Sequence, residues 1–164
     1  MPESNQRHHH RKYGGDNVKP IVKTLSELPD PLNIVNEEIT ILSSNTETKD
    51  YELFLQEGPE GSGPPPHCHN WDESFYVLEG NIDFGYDDQT LVARKGTLVH
   101  LPAGTVHWFR FAKGGGKMLS VTGRNSNASI FFTQLAREIP SGEPEIDKLI
   151  KVAEKNGVEF KTQG

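Results

Sequence analysis

Sulfur chemistry is nearly absent from this chain: Cys68 is its one cysteine, so no disulfide can close within it and a reducing compartment suits it. Basic charge is short as well. Lys and Arg number 17 against 23 Asp and Glu, a net charge of −6, which argues against a nucleic-acid surface and against docking on anionic lipid. No apolar run approaches the roughly 20 residues of a membrane-spanning helix. The opening "MPESNQRHHHRKYGG" lacks the apolar stretch of a secretory signal. These absences lead to the expectation of a cytoplasmic protein that binds neither nucleic acid nor membrane.

What remains is enough for one folded unit. The 164 residues are 34% hydrophobic and 24% charged, the balance of a soluble single domain with one sizeable core. Residues 1–18 are polar and have little to bury, so a flexible N-terminal arm is expected there. The adjacent His8, His9 and His10 fall on that arm, without ordered support for a shared ion. From Ile21 onward, short apolar runs alternate with turn residues. Strands are expected at about Ile39–Ser43 and Tyr51–Gln56, and more follow between Glu79-Gly80-Asn81, Asp87-Asp88, Lys95-Gly96 and Ala103-Gly104. Strands this short and this closely spaced indicate an all-β sandwich or small barrel, assigned to residues 19–135. Residues 136–164 read as a helical extension. Pro144 starts an amphipathic helix with apolar Ile146, Leu149, Ile150 and Ala153, and Asn156-Gly157 stops it. A shorter helix fits Ile130–Arg137.

The stretch "PPPHCHNWDESFYVLEG" (64–80) concentrates metal-binding chemistry. In a strand, residues i and i+2 share a face, so His67 and His69 project together while Cys68 turns away. Pro64, Pro65 and Pro66 hold the approach extended and remove backbone donors. Glu73 follows a short connection. Two imidazoles and a carboxylate are most of a site for a borderline divalent metal; the same residues also fit two part-exposed histidines at a strand end. Further on, "GTLVHLPAGTVHWFRF" offers His107 at the start of a strand after the Ala103-Gly104 turn.

Together these segments resemble the cupins. The first cupin motif is a glycine, five residues, HxH, three or four residues, a glutamate, six residues and a glycine. Gly61, His67, His69, Glu73 and Gly80 fit each interval. The second is a glycine, five residues, PxG, two residues and a histidine, with an asparagine four positions on. Gly96, Pro102, Gly104 and His107 fit, and Phe111 stands where the asparagine would be. The resemblance covers about residues 35 to 135. It implies a double-stranded β-helix (jelly-roll) barrel, closed off by the C-terminal amphipathic helix. It also implies one divalent metal on His67, His69, Glu73 and His107, with iron, manganese, nickel, cobalt, copper and zinc all compatible.

The chain further resembles single-domain, quercetinase-like cupins. That implies a dioxygenase acting on a flat, enolisable or phenolic small molecule, with dioxygen as co-substrate and Glu73 serving as ligand and proton acceptor. Other metal-dependent cupin enzymes (isomerases, decarboxylases) and non-catalytic ligand-binding cupins are the alternatives. Strand parity turns Phe109 and Phe111 inward with His107, and Phe75 and Val77 inward with Glu73. An apolar pocket without arginine or lysine is therefore expected. His100 has opposite parity to Val99 and Leu101 and matches no motif position. Single cupin barrels commonly pair, so a homodimer is expected.

Overall fold

The computed structural model describes residues 19–139 and 144–161; the expected arm, with His8, His9 and His10, lies outside them. Nine strands make up its sheet: β1 (Leu32–Ile34), β2 (Glu37–Ser43), β3 (Glu52–Gly58), β4 (His67–His69), β5 (Glu73–Tyr86), β6 (Gln89–Arg94), β7 (Leu98–Leu101), β8 (His107–Thr122) and β9 (Val158–Phe160). Three helices interrupt them, α1 (Asn45–Thr48), α2 (Ala128–Glu138) and α3 (Ile146–Lys155). No helix among the described residues is long and apolar enough to cross a membrane.

The two long strands make the barrel. Residues Glu73–Glu79 of β5 pair antiparallel with Lys117–Thr122 of β8, while Ile82–Tyr86 pair with His107–Phe111. Both strands change register between Val77 and Ile82, where Gly80 takes a positive φ of 73°, a backbone shape that favours glycine. The bend lets each strand serve two walls. One wall runs β1-β2-β3-β8-β5-β7, and the other is β6-β5-β8-β4-β9. The result is a sheet curled into the expected jelly roll.

Period-two burial fills the interior. Phe75, Val77, Ile82, Phe84, Val99, Leu101, Phe109, Phe111 and Met118 are buried together as the barrel core. A second core packs α2 and α3 against the inward face of β1–β3, through Ile34, Ile39, Phe54, Phe131, Leu135, Val152 and Ala153. The fully buried Glu52 fastens α2 there, because its Oε1 accepts hydrogen bonds from Ser126 Oγ (2.8 Å) and the Ser129 backbone N–H (3.2 Å). A carboxylate suits a helix N-terminus, where backbone donors lack partners.

The C-terminal part departs from the sequence reading in detail. α3 starts just after Pro144, but it buries Val152 and Ala153 while Ile146 is 60% exposed. Gly157, with φ of 79°, then reverses the chain into β9, which pairs with β4. The extension is thus helix followed by strand. Asn156-Gly157 ends the helix as expected, and the three residues beyond it are too few to show a period-two pattern.

Candidate metal centre

His67 and His107 face each other directly across β4 and β8, and His69 lies two residues on from His67 along β4. One ring nitrogen from each of the three falls within 4.8 Å of the others, and all three side chains are buried. Glu73, at the start of β5, is 6% exposed and brings its Oε2 to 3.0 Å from His69 Nε2 and 3.5 Å from His107 Nε2. The three histidines therefore stand around one point, and Glu73 lies against two of them.

The tautomers follow from the hydrogen bonds. Each Nδ1 lies 2.9 Å from a backbone carbonyl: His67 from Pro65, His69 from Trp71 and His107 from Thr105. A carbonyl only accepts, so every Nδ1 carries a proton, and each ring in its neutral form turns the Nε2 lone pair inward. Metal-binding histidines are held in this way, with the outer nitrogen donating to a fixed acceptor.

The donor set fits a metal ion. Two donors each about 2.1 Å from one ion are separated by roughly 3.0–3.4 Å in octahedral or tetrahedral geometry, close to the Glu73–His69 and Glu73–His107 spacings. His107 Nε2 is buried without a hydrogen-bond partner among the described residues, an arrangement that is costly unless something binds there. His67, His69 and His107 could thus hold an ion, with Glu73 beside them.

Charge states agree with this geometry. Burial, helped by the nearby His107, pushes the His67 pKa down to about 3, so its imidazole is neutral. Burial would also discharge His107, but the Glu73 carboxylate outweighs it and leaves its pKa above the ordinary 6.5. Glu73 is opposed by burial too, yet His107 and His69 bring it down to about 2. The carboxylate is ionised at neutral pH.

Neighbouring residues hold the ligands in place. Asp72 Oδ1 accepts the Ala103 N–H (2.8 Å), and Gly104 N–H donates to the His69 carbonyl (2.7 Å). The turn before His107 is so tied to the loop after His69. Trp71 stacks on His69, with ring centroids 4.3 Å apart and planes 8° apart. Arg110 donates to the carbonyls of Gly63 and Pro64 (2.6 Å each) and holds the proline-rich approach. Arg110 points out of the barrel as its parity required, and this contact is its structural use.

A cavity of about 290 Å³ opens from the histidines between the two cores. Phe75 and Phe109 line it, as do Trp71, Phe131, Leu149 and Phe160, and among the described residues no arginine or lysine does. Val77 and Phe111 are buried in the barrel core and do not reach the lining. The reason at Phe111 is local. Gly58 and Gly116 sit opposite each other on β3 and β8, and a Cβ on either would come within 3.0 Å of the Phe111 ring. The ring occupies the dent that the two glycines leave. His100 is exposed on the outer face, with Nδ1 2.8 Å from Ser74 Oγ. Cys68 is half-buried on the face opposite the two histidines.

The lining also contains residues not singled out in the sequence. Glu37 and Gln56 lie in its wall. Their parity with Ile39 and Phe54 is a signal, since all four alternate toward the interior. Val158 and Phe160 enter through β9, opposite His69 and His67, and no local pattern marks them.

Residues 54–122 match the family described as "Cupin domain". Over 84 residues, 51% of this chain, the sequence is 38% identical to quercetin 2,3-dioxygenase of Bacillus subtilis (strain 168), a stretch covering 25% of that protein. The chain thus spans about a quarter of that relative's length. Among solved structures, an RmlC-like cupin from Shewanella frigidimarina aligns with a TM-score of 0.58 at 15% identity, over 65% of this chain and 92% of the other. Ectoine synthase from P. lautus aligns with a TM-score of 0.56 at 20% identity, over 64% and 78%. At such identities the two structures speak for the fold alone.

Proposed function

The barrel of this chain is a cupin domain, and from that premise we propose a metal-dependent dioxygenase that acts on a flat, enolisable or phenolic small molecule. In this reading His67, His69, Glu73 and His107 are the metal ligands. The observation that carries it is the opening of a buried three-histidine, one-carboxylate cluster into a mostly apolar cavity that, among the described residues, no lysine or arginine lines. A multiply anionic substrate would call for a cation there. The likeness of half the chain to a quercetin 2,3-dioxygenase supports the same class.

A divalent transition ion, when bound, supplies Lewis acidity and open positions for exchangeable ligands. The chain's own residues do the rest. Phe75, Phe109 and Trp71 pack against a planar ring and exclude water from it. The Glu73 carboxylate, ionised at neutral pH, accepts the hydroxyl proton of an enol or phenol at Oε2. The carbonyls of Pro65, Trp71 and Thr105 keep the three imidazoles in one tautomer throughout.

The test is dioxygen uptake by protein purified without a nickel column and loaded in turn with iron, manganese, nickel, cobalt, copper and zinc. Flavonols and small β-diketones are the substrates to screen. Uptake that depends on metal and on Glu73 is the expected result. Tight ligand binding with no uptake under any metal would overturn the oxygenase reading in favour of a binding module.

A further inference from the structure

Two polar side chains in the cavity wall take no part in the metal centre. Gln56 is 3% exposed, and its Oε1 is buried with no hydrogen-bond partner among the described residues. Glu37 Oε1 is also buried and unpartnered. Both residues line the cavity that contains His67, His69 and Glu73.

Strand register brings the two together. Ile39 stands opposite Gln56, and Glu37 is two residues before Ile39 on the same inward face. One step beyond the Glu38–Glu57 pair, the register puts Gly58 opposite Glu37, with Ser62 and the Phe111 ring lying over that glycine. Glu37 and Gln56 are therefore diagonal neighbours, with Cβ atoms about 7 Å apart. The same register separates them from the metal centre. Gln56, Met118 and Val77 form one inward row, whereas Thr122 and Glu73 lie two inward rows further along their strands.

We propose that Glu37 and Gln56 form a polar subsite that binds a neutral hydroxyl group at the end of the substrate remote from the metal centre. This rests on the dioxygenase reading and names the substrate class within it: a flat molecule with a chelating oxygen pair at one end and a phenolic hydroxyl at the other. The chemistry follows from what each side chain offers. Gln56 Oε1 only accepts, so it needs a donor. Burial, against the pull of Arg110, raises the Glu37 pKa to about 8, so its carboxyl is protonated at neutral pH and donates. A hydroxyl does both at once, giving its proton to Gln56 and accepting the proton of Glu37. A carbonyl would leave Gln56 Oε1 unsatisfied, and an anion would face its lone pairs. Among the described residues the other titratable groups on the cavity are His67, His69 and Glu73; the charge of Arg110 disfavours a cation.

Fluorescence titration of the metal-loaded full chain tests this. The probes are 3-hydroxyflavone, with only the chelating oxygens, and quercetin, with added hydroxyls at both ends. The wild type should bind quercetin about tenfold more tightly. Glu37→Leu and Gln56→Leu should shrink that ratio to about twofold or less while leaving 3-hydroxyflavone binding intact, with thermal melts to confirm folding. Glu37→Gln, which keeps a neutral donor, should preserve the ratio and serves if the leucine variant does not fold. An unchanged ratio in the leucine variants, or no preference in the wild type, overturns the subsite. Dioxygen uptake on the same samples separates the two claims. Uptake with an insensitive ratio sinks the subsite alone, and a sensitive ratio without uptake sinks the dioxygenase alone. Failure of both flavonols to bind counts against both.

Discussion

His67 and His107 stand opposite each other across β4 and β8, with ring centroids 4.3 Å apart and each Nδ1 tied to the carbonyl two residues earlier. Two strands distant in sequence thus present the same ring edge to the same point.

That arrangement fixes how the site responds to acid. Protons compete with a metal for Nε2. His107, with its pKa above 6.5, takes a proton readily, whereas His67 stays neutral down to about pH 3. Metal affinity should therefore fall as pH drops from 7 to 5, with fewer than three protons taken up per ion released. Calorimetric titration in buffers of different ionisation enthalpy counts them, and three protons at pH 6 would contradict a neutral His67.

Phe111 supplies a test of packing. Its ring sits over Gly58 and Gly116 in the barrel core, so Phe111→Asn places an amide in an apolar site and leaves a void. A loss of about 3–5 kcal/mol in urea unfolding is expected, with metal stoichiometry retained in the protein that remains folded. A change in ligand preference without loss of stability would return Phe111 to the cavity wall.

The Phe111 position shows where the sequence was readable. Motif spacing and strand parity located His67, His69, Glu73 and His107, because ligand spacing and period-two alternation are both local. Parity also turned Phe109 and Phe111 inward. It could not say which inward residue meets the cavity and which packs behind it, since that depends on glycines more than 50 residues apart in β3 and β8, facing each other at Gly58 and Gly116. Glu37 and Gln56 follow parity too, but a glutamate in a short strand reads as solvated until a second wall covers it. β9 was hidden altogether, because three residues carry no period and their partner, β4, lies some 90 residues earlier.

Glu37 makes stability depend on pH. Its carboxyl has an ordinary pKa of 4.5 and one of about 8 in the fold, so its contribution is complete below pH 4.5 and is lost as pH rises through 8. Between pH 5 and 8, Glu37→Gln should gain on the wild type by up to about 1.4 kcal/mol per pH unit. Parallel stability curves for the two proteins over that range would mean that Glu37 is ionised in the fold.

β9 and α3 complete the cavity. Phe160 and Val158 pair against His67 and His69, and Leu149 adds to the lining. Ending the chain at Glu138 should open the histidines to water and reduce flavonol affinity at least tenfold, as read by fluorescence. Undiminished affinity would mean that the barrel holds the ligand without this cover.

The central claim is that His67, His69, Glu73 and His107 bind one divalent ion, and elemental analysis of protein purified without a nickel column tests it most directly. The account predicts about one equivalent of transition metal in the wild type. It predicts a weaker but folded site in Glu73→Gln, and essentially none in the triple variant with His67, His69 and His107 changed to alanine. His100→Ala and Cys68→Ser should match the wild type. A full equivalent of metal retained by the folded triple variant would contradict the claim.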